Sequence, residues 1–186
     1  MVTISQLWLP IVLSAVAVFV ASSVIHMALP WHAGDFDRLD SEDDVMSGLR
    51  GAGVTPGSYV IPHARSGAER KTDEFQHKLT IGPVGFLAVV PSGEQNMGKS
   101  LTQWFVFCLV VSVFAAYLAS RAVSPGADYL AAFRFAGTAA FLCYAVALWQ
   151  DSIFFARKWR ASLTLTLDGL IYAGLTAGMF GWLWPV

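Results

Sequence analysis

The sequence predicts an all-α transmembrane protein, a four-helix bundle with a small αβ extramembrane cap between helices one and two. Only 13% of the 186 residues are charged, whereas an ordinary soluble domain has roughly 25%. Four apolar segments also have about the length needed to cross a hydrocarbon core of ~30 Å. Because these segments are continuous and do not alternate with polar residues, they indicate helices and not the strands of a membrane barrel.

The four segments define the predicted domain organisation. We expect helix one within residues 1–30, the cap within 31–100 and the other helices within 101–186. Pro30 and Pro185 are expected to end the first and last helices, because proline cannot continue the helical hydrogen-bond ladder. The last three helices are placed at about 101–120, 129–149 and 163–184.

The segment between the first two helices is too long and too polar to be a structureless connection. Ser41 followed by three acidic residues predicts a helix start, and the glycines at 51–53 predict its end. A second helix is predicted from Thr72 to Gly82, with Phe75 on its apolar face. We therefore expect two short helices in the cap.

Two extended runs in the same segment predict a pair of strands. They cover residues 58–61 and 85–90 and are bounded by proline and glycine. Together with the two helices they make a small αβ cap, which we expect to have little core of its own and to lean on the membrane end of the bundle.

Three ionisable residues lie inside the apolar segments: His26, Arg134 and Asp168. Such residues are costly in a membrane and often functional. Arg134 and Asp168 lie on antiparallel helices at depths that differ by more than about 10 Å at 1.5 Å per residue. We therefore expect no ion pair between them, and we expect Arg134 to reach toward the surface at loop two.

Asp168 instead shares a depth with polar residues from the other three helices. The junction after helix one lies directly above this layer. The predicted ligand or proton site consists of His26, Asp168, Tyr144, Gln103, His32 and Asp35. Such a layer can bind a ligand or move protons, or it can be only a structural hydrogen-bond network. No metal site is predicted, because one histidine and one carboxylate from separate helices are weak evidence for a metal.

The absence of known motifs limits the functional interpretation. The chain has a net charge of −1 and no long basic run, so we expect no nucleic-acid partner. It contains no nucleophile-elbow, zinc-protease or dinucleotide-binding motif, so the cofactor and the question of enzyme activity stay open. The expected partner is the lipid bilayer. Gly174 and Gly178 form a small-residue pair that can pack inside the bundle or join a homo-oligomer.

Basic residues predict the orientation in the membrane. Loop three contains Arg157, Lys158 and Arg160, whereas loop two contains only Arg121. Basic loops stay in the cytoplasm, so we expect loops one and three to be cytoplasmic and both termini to lie outside.

Four sequence features resemble a family of uncharacterised small multi-pass proteins of bacterial inner membranes. They are the first helix, the Pro-Trp-His-Ala-Gly-Asp junction at 30–35, Asn-Met-Gly-Lys-Ser at 96–100 and Gly-Trp-Leu-Trp-Pro at 181–185. The resemblance spans most of the chain. It implies the inner (plasma) membrane as the location, but no activity, cofactor or catalytic residue.

Three classes of function follow from these observations. The preferred one is an accessory or structural membrane protein. The second is a small proton-coupled transporter or channel that acts as an oligomer, which requires Asp168 to line a water-accessible cavity. The third is a membrane enzyme or redox protein that uses the layer of His26 and Asp168, which requires a bound metal or cofactor.

Overall fold

A computed structural model describes residues 1–94 and 96–186. Four helices in these ranges are long and apolar enough to cross a membrane, at Ile4–Ala28, Met97–Ala122, Tyr129–Phe154 and Trp159–Trp182. They confirm the predicted all-α bundle and make the chain a multi-pass membrane protein. The chain divides into two compact units, one formed by 1–35 with 96–186 and the other by the residues between them.

The regular elements follow one another in chain order. They are α1 (Trp8–Ala28), α2 (Glu42–Gly51), β1 (Gly57–Ile61), α3 (Asp73–Ile81), β2 (Gly85–Val89), α4 (Met97–Ala122), α5 (Tyr129–Tyr144), α6 (Trp149–Phe154) and α7 (Trp159–Trp182). The strands and α2 and α3 belong to the smaller unit, and the other helices form the larger one.

The larger unit is a closed ring of four helices. α1 packs against α4 and α7, and α5 packs against the same two helices from the opposite side. Small residues allow this close approach. An ideal Cβ atom at Gly137 of α5 would lie only 2.8 Å from the Cβ of Ala177 on α7. The buried core is correspondingly rich in alanine, with Ala115, Ala116, Ala119, Ala132, Ala136 and Ala140 among its members.

Local signals explain where the long helices begin and end. α1 ends at Ala28 because Pro30 holds the preceding Leu29 in an extended conformation, with φ −102° and ψ 135°. The side chains of Asn96 and Asp128 cap α4 and α5 by accepting hydrogen bonds from backbone N–H groups three residues later, both at 2.9 Å.

The third membrane span differs from the continuous helix that we predicted over 129–149. α5 ends at Tyr144, Ala145 leaves the helical region (φ −122°, ψ −62°), and a short 3₁₀ turn leads into α6. Gly169 of α7 lies against this break, where an ideal Cβ atom would come within 3.0 Å of the Tyr144 carbonyl group. The interruption therefore coincides with a close backbone approach between α5 and α7.

The smaller unit contains the two helices and the strand pair that the sequence predicts. β1 and β2 are antiparallel, with Gly57 opposite Val89 and Ile61 opposite Gly85. Thr72 caps α3 by accepting a hydrogen bond from the Phe75 N–H at 3.3 Å, and the Phe75 side chain is buried. These elements confirm the predicted αβ composition.

The start of α2 differs from the prediction in one detail. Ser41 stands at the N-cap position, as predicted, but its side chain makes no capping hydrogen bond to any residue that the structure describes. Glu42, Asp43 and Asp44 in the first turn interact favourably with the positive end of the helix dipole instead.

The two glycines of the predicted small-residue pair have different surroundings. An ideal Cβ at Gly174 would meet no described atom within 4 Å, so this glycine faces outward. At Gly178 the same atom would lie 3.7 Å from the Tyr129 hydroxyl group of α5. Homo-oligomerisation through this face stays a prediction.

The close approach at Gly169 generates a stability prediction. We expect Gly169→Ala to lower the free energy of unfolding by about 1–3 kcal/mol, because the new methyl group overlaps the α5 backbone. Gly174→Ala is the matched control on the same helix and should raise stability by up to about 1 kcal/mol, because alanine favours helix and nothing is displaced. Thermal unfolding in detergent measures both changes, and equal effects of the two substitutions would contradict the packing argument.

Candidate functional site: a histidine–aspartate cluster

A tight turn after α1 brings two polar side chains back toward the bundle. Pro30 starts a 3₁₀ turn that ends at His32, and the Ala33 N–H donates to the Pro30 carbonyl group at 3.0 Å. The Asp35 N–H then donates to the His32 carbonyl group at 3.0 Å. These successive turns place the Asp35 carboxylate beside the His32 ring. Residues 31–35, which we predicted to be part of the cap, thus belong to the helical unit.

His32 lies between two carboxylates. Its Nδ1 atom is 2.8 Å from Oδ2 of Asp35, and its Nε2 atom is 2.9 Å from Oδ2 of Asp168 on α7. The side chains are 16%, 8% and 1% exposed for His32, Asp35 and Asp168 respectively. A neutral imidazole has a single N–H group. One of the two short contacts therefore needs a further proton or another cation between nitrogen and oxygen.

His26 completes the cluster from the last turn of α1. Its ring stacks on that of His32 with centroids 4.4 Å apart and planes inclined by 17°. Its Nδ1–H group donates to the Ser22 carbonyl group, one turn earlier, at 3.0 Å. A carbonyl oxygen can only accept, so the Nε2 atom of His26 keeps a free lone pair. We call His26, His32, Asp35 and Asp168 the His–Asp cluster.

The cluster has the donor set of a metal centre. One ligand atom each from His26, His32 and Asp168 lies within 4.8 Å of the others. The 2.9 Å between His32 Nε2 and Asp168 Oδ2 is a hydrogen-bond distance, and two ligands of one tetrahedral ion with bonds of roughly 2.0–2.2 Å lie about 3.4 Å apart, so metal binding would separate these two atoms by about half an ångström. The lone pairs of an imidazole lie in the ring plane, and the two planes are inclined by only 17°, so binding of one ion requires the exposed His26 ring to tilt toward the other two ligands.

Two carboxylate oxygens of the cluster take no part in the contacts with His32. Oδ1 of Asp35 and Oδ1 of Asp168 are buried and have no hydrogen-bond partner among the described residues. Buried carboxylate oxygens without partners are costly in a low-dielectric environment. The cluster therefore contains acceptor atoms whose hydrogen-bonding capacity is not used within the described chain.

Arg160, in the first turn of α7, lies against the turn that carries the cluster. An ideal Cβ atom at Gly34 would overlap its guanidinium group. Gly34 therefore permits the arginine to lie close to the backbone between His32 and Asp35. The sequence predicts Arg160 only as part of a basic loop, because its neighbour in space is separated from it by most of the chain.

An aromatic layer lies one helical turn below Asp168. The rings of Tyr144 and Tyr172 are 5.5 Å apart and nearly perpendicular, and Trp104 contacts both at about 6 Å. The Trp104 indole N–H donates to the Ser22 hydroxyl group at 2.8 Å. The hydroxyl groups of both tyrosines are buried and have no partner among the described residues.

The structure brings together four of the six side chains that the sequence selects, and these form the His–Asp cluster. Tyr144 lies in the adjacent aromatic layer. Gln103 is exposed on α4, and no hydrogen bond within the described chain joins it to the cluster. Tyr172 and Trp104 are not among the residues that the sequence selects. Tyr172 follows Asp168 by four residues, a spacing that places both on the same face of a helix and could have identified it.

Removal of His32 should destabilise the protein strongly. His32→Ala leaves the carboxylate of Asp168 buried and unpaired, which costs roughly 3–5 kcal/mol. The double variant His32→Ala/Asp168→Leu should recover much of this loss, because the buried charge is removed with its partner. Chemical unfolding in detergent with a chelator present measures both effects, with the exposed His63→Ala as control. A double variant no more stable than His32→Ala would contradict the pairing.

Searches of family models, curated proteins and solved structures gave no match to this chain.

Proposed function

We propose that this membrane protein binds one divalent transition-metal ion at the His–Asp cluster and uses it as a catalytic centre at the membrane boundary. His26, His32 and Asp168 are the ligands, and Asp35 orients His32. One observation carries the proposal: two histidine nitrogens and a buried carboxylate oxygen lie within 4.8 Å of one another, while the Nδ1 atoms of both histidines are already held by oxygen acceptors.

The ligand chemistry selects the kind of metal. Imidazole nitrogen with a carboxylate suits zinc, iron, manganese or cobalt, whereas calcium and magnesium prefer sets made of oxygen ligands. Histidine ligands usually donate their second ring N–H to a carboxylate or a carbonyl group, which fixes the tautomer. Asp35 has this role for His32, and the Ser22 carbonyl group has it for His26.

A set of three protein ligands favours a catalytic site over a purely structural one. Structural zinc sites have four protein ligands, while catalytic sites keep a position open for water or substrate. A metal held in this way supplies a Lewis acid or an activated water molecule. The residues of the chain hold the ion, fix the histidine tautomers and, through the burial of Asp168, keep bulk water from one side of it.

This proposal corresponds to the third class of function that the sequence leaves open. The transporter class requires a water-accessible Asp168, but its side chain is 1% exposed. The accessory class accounts for the bundle and for a structural contact between His32 and Asp168, but it gives no role to the two buried carboxylate oxygens that have no hydrogen-bond partner among the described residues. The donor set therefore supports the enzyme or redox class best.

We also propose a location and an orientation. The bacterial inner membrane, with loops one and three in the cytoplasm, is supported by the basic residues between α6 and the start of α7, namely Arg157, Lys158 and Arg160. The cluster joins the segment after α1 to α7, so it lies at the end of the bundle where loops one and three begin. The metal centre would then face the cytoplasm.

Metal analysis of protein purified in mild detergent tests the metal centre. After dialysis against zinc or cobalt, the wild-type chain should retain one ion per chain. His26→Ala, His32→Ala and Asp168→Asn should each lose it, because two ligands hold an ion poorly. Asp35→Asn should keep the site but weaken binding by roughly 10–100-fold, the usual effect of losing a partner that orients a ligand. His63→Ala and His77→Ala, in the other unit, are the controls and should bind normally.

The visible spectrum of the cobalt form tests whether a coordination position is open. Addition of azide should change the absorption bands if a small anion binds beside the three protein ligands. No stoichiometric metal in the wild-type chain, or equal loss in the His63→Ala control, would refute the metal centre. An azide-insensitive spectrum would indicate a structural metal and refute the catalytic role.

Reporter fusions at the C-terminus test the orientation. Alkaline phosphatase is active only outside the cytoplasm, so its fusion after Val186 should be active, whereas a green fluorescent protein fused there should stay dark. Fusions after Phe155 should show the reverse pattern. A fluorescent C-terminal fusion would overturn the proposed orientation without affecting the metal centre.

A further inference from the structure

A groove runs along the outer face of the bundle between α5 and α7, away from the His–Asp cluster. Its volume is about 340 Å³, and nearly all of its lining is apolar. Phe133, Phe141 and Leu170 form its walls, and Gly137 and Gly174 form part of its floor. Both helices lie within membrane spans, so the groove faces the bilayer.

The glycines explain why the groove exists. Gly137 lets α5 and α7 approach each other at Ala177, which forms the bottom of the groove. Above it, Gly174 has no described atom within 4 Å of its ideal Cβ position. A larger side chain at Gly174 would fill the open space, so its absence leaves a channel of the width of a side chain.

Arg134 lies in the wall of the same groove and gives it a charge. It follows the start of α5 by five residues, which is about 7.5 Å along the axis at 1.5 Å per residue. The side chain is exposed, and no carboxylate lies within ion-pair distance of it among the residues that the structure describes. A charge at this depth is costly unless a counter-charge reaches it from the surroundings.

We propose that the groove binds one anionic phospholipid, with an acyl chain along the apolar floor and the headgroup phosphate on Arg134. Guanidinium groups bind phosphate through paired, charge-assisted hydrogen bonds. The long arginine side chain can extend from its backbone position toward the headgroup level. A charged residue beside an apolar channel that faces the bilayer matches both parts of such a lipid.

A second copy of the chain fits this face less well. A two-fold dimer brings the same patch of each subunit together, so the two Arg134 side chains would meet across the interface without a carboxylate to separate them. Like charges opposed in this way are unfavourable. The groove also lies apart from the His–Asp cluster, so lipid binding does not depend on the metal centre.

Native mass spectrometry of the detergent-purified chain with added phosphatidylglycerol or phosphatidylcholine tests the proposal. The wild-type chain should retain one phosphatidylglycerol and bind phosphatidylcholine at least about tenfold more weakly, since hydrogen bonds to charged groups contribute a factor of this size. Arg134→Gln should lose this preference. Arg121→Gln is the matched control, because Arg121 is also exposed at the loop-two end but lies over the Tyr117 ring, outside the groove.

Gly174→Leu tests the groove itself while Arg134 is intact. The leucine should reduce phosphatidylglycerol retention about tenfold by occupying the floor, and circular dichroism should show an unchanged helix content because the position is open. Unchanged lipid retention in Gly174→Leu, or equal losses in Arg134→Gln and Arg121→Gln, would overturn the proposal. A wild-type dimer that Gly174→Leu converts to monomer would show that a second copy, and not lipid, occupies the face.

Discussion

The contact between His32 and Asp168 is the interaction on which the rest of the helical unit depends. Asp168 is 1% exposed within a membrane span, and a carboxylate in that position is tolerated only with a partner. The partner comes from outside the span, since Pro30 ends α1 and turns the chain so that His32 reaches α7. Residues 31–35 are therefore fixed to the bundle, and Asp35 holds the second nitrogen of the same ring.

Gly169, the residue after Asp168, lies against the end of α5. Because it lacks a side chain, α7 can approach the Tyr144 carbonyl group closely, at the point where α5 is interrupted at Ala145. The same approach sets Tyr144 against Tyr172 and Trp104. Two adjacent residues of α7 thus determine both the polar cluster and the aromatic layer beneath it.

The sequence predicts those parts of the fold that local patterns specify. Apolar length gives the four spans, and turn residues give the small strand pair, because each signal lies within the element that it specifies. Helix lengths also place His26 and Asp168 at one depth. The break at Ala145 was not predicted, and it coincides with a close approach to Gly169 on another helix, which no local pattern in α5 specifies. Gln103 was selected by depth alone, but the helical phase of α4 turns Trp104 inward and leaves Gln103 exposed. The three candidate metal ligands come from three separate segments, so no spacing rule reveals them.

Each ionisable residue within the spans needs a partner, because an unpaired charge is costly in a membrane. This requirement underlies both proposals. His26 and Asp168 meet partners inside the chain, and the resulting cluster contains three candidate metal ligands and two buried carboxylate oxygens without a partner among the described residues. Arg134 meets no carboxylate within the described chain and lies beside an apolar channel open to the bilayer, which is why we propose a lipid phosphate as its counter-charge. The cluster offers acceptor atoms, whereas the groove offers a cationic donor. This difference is the reason for proposing a metal ion at the first position and a phosphate at the second.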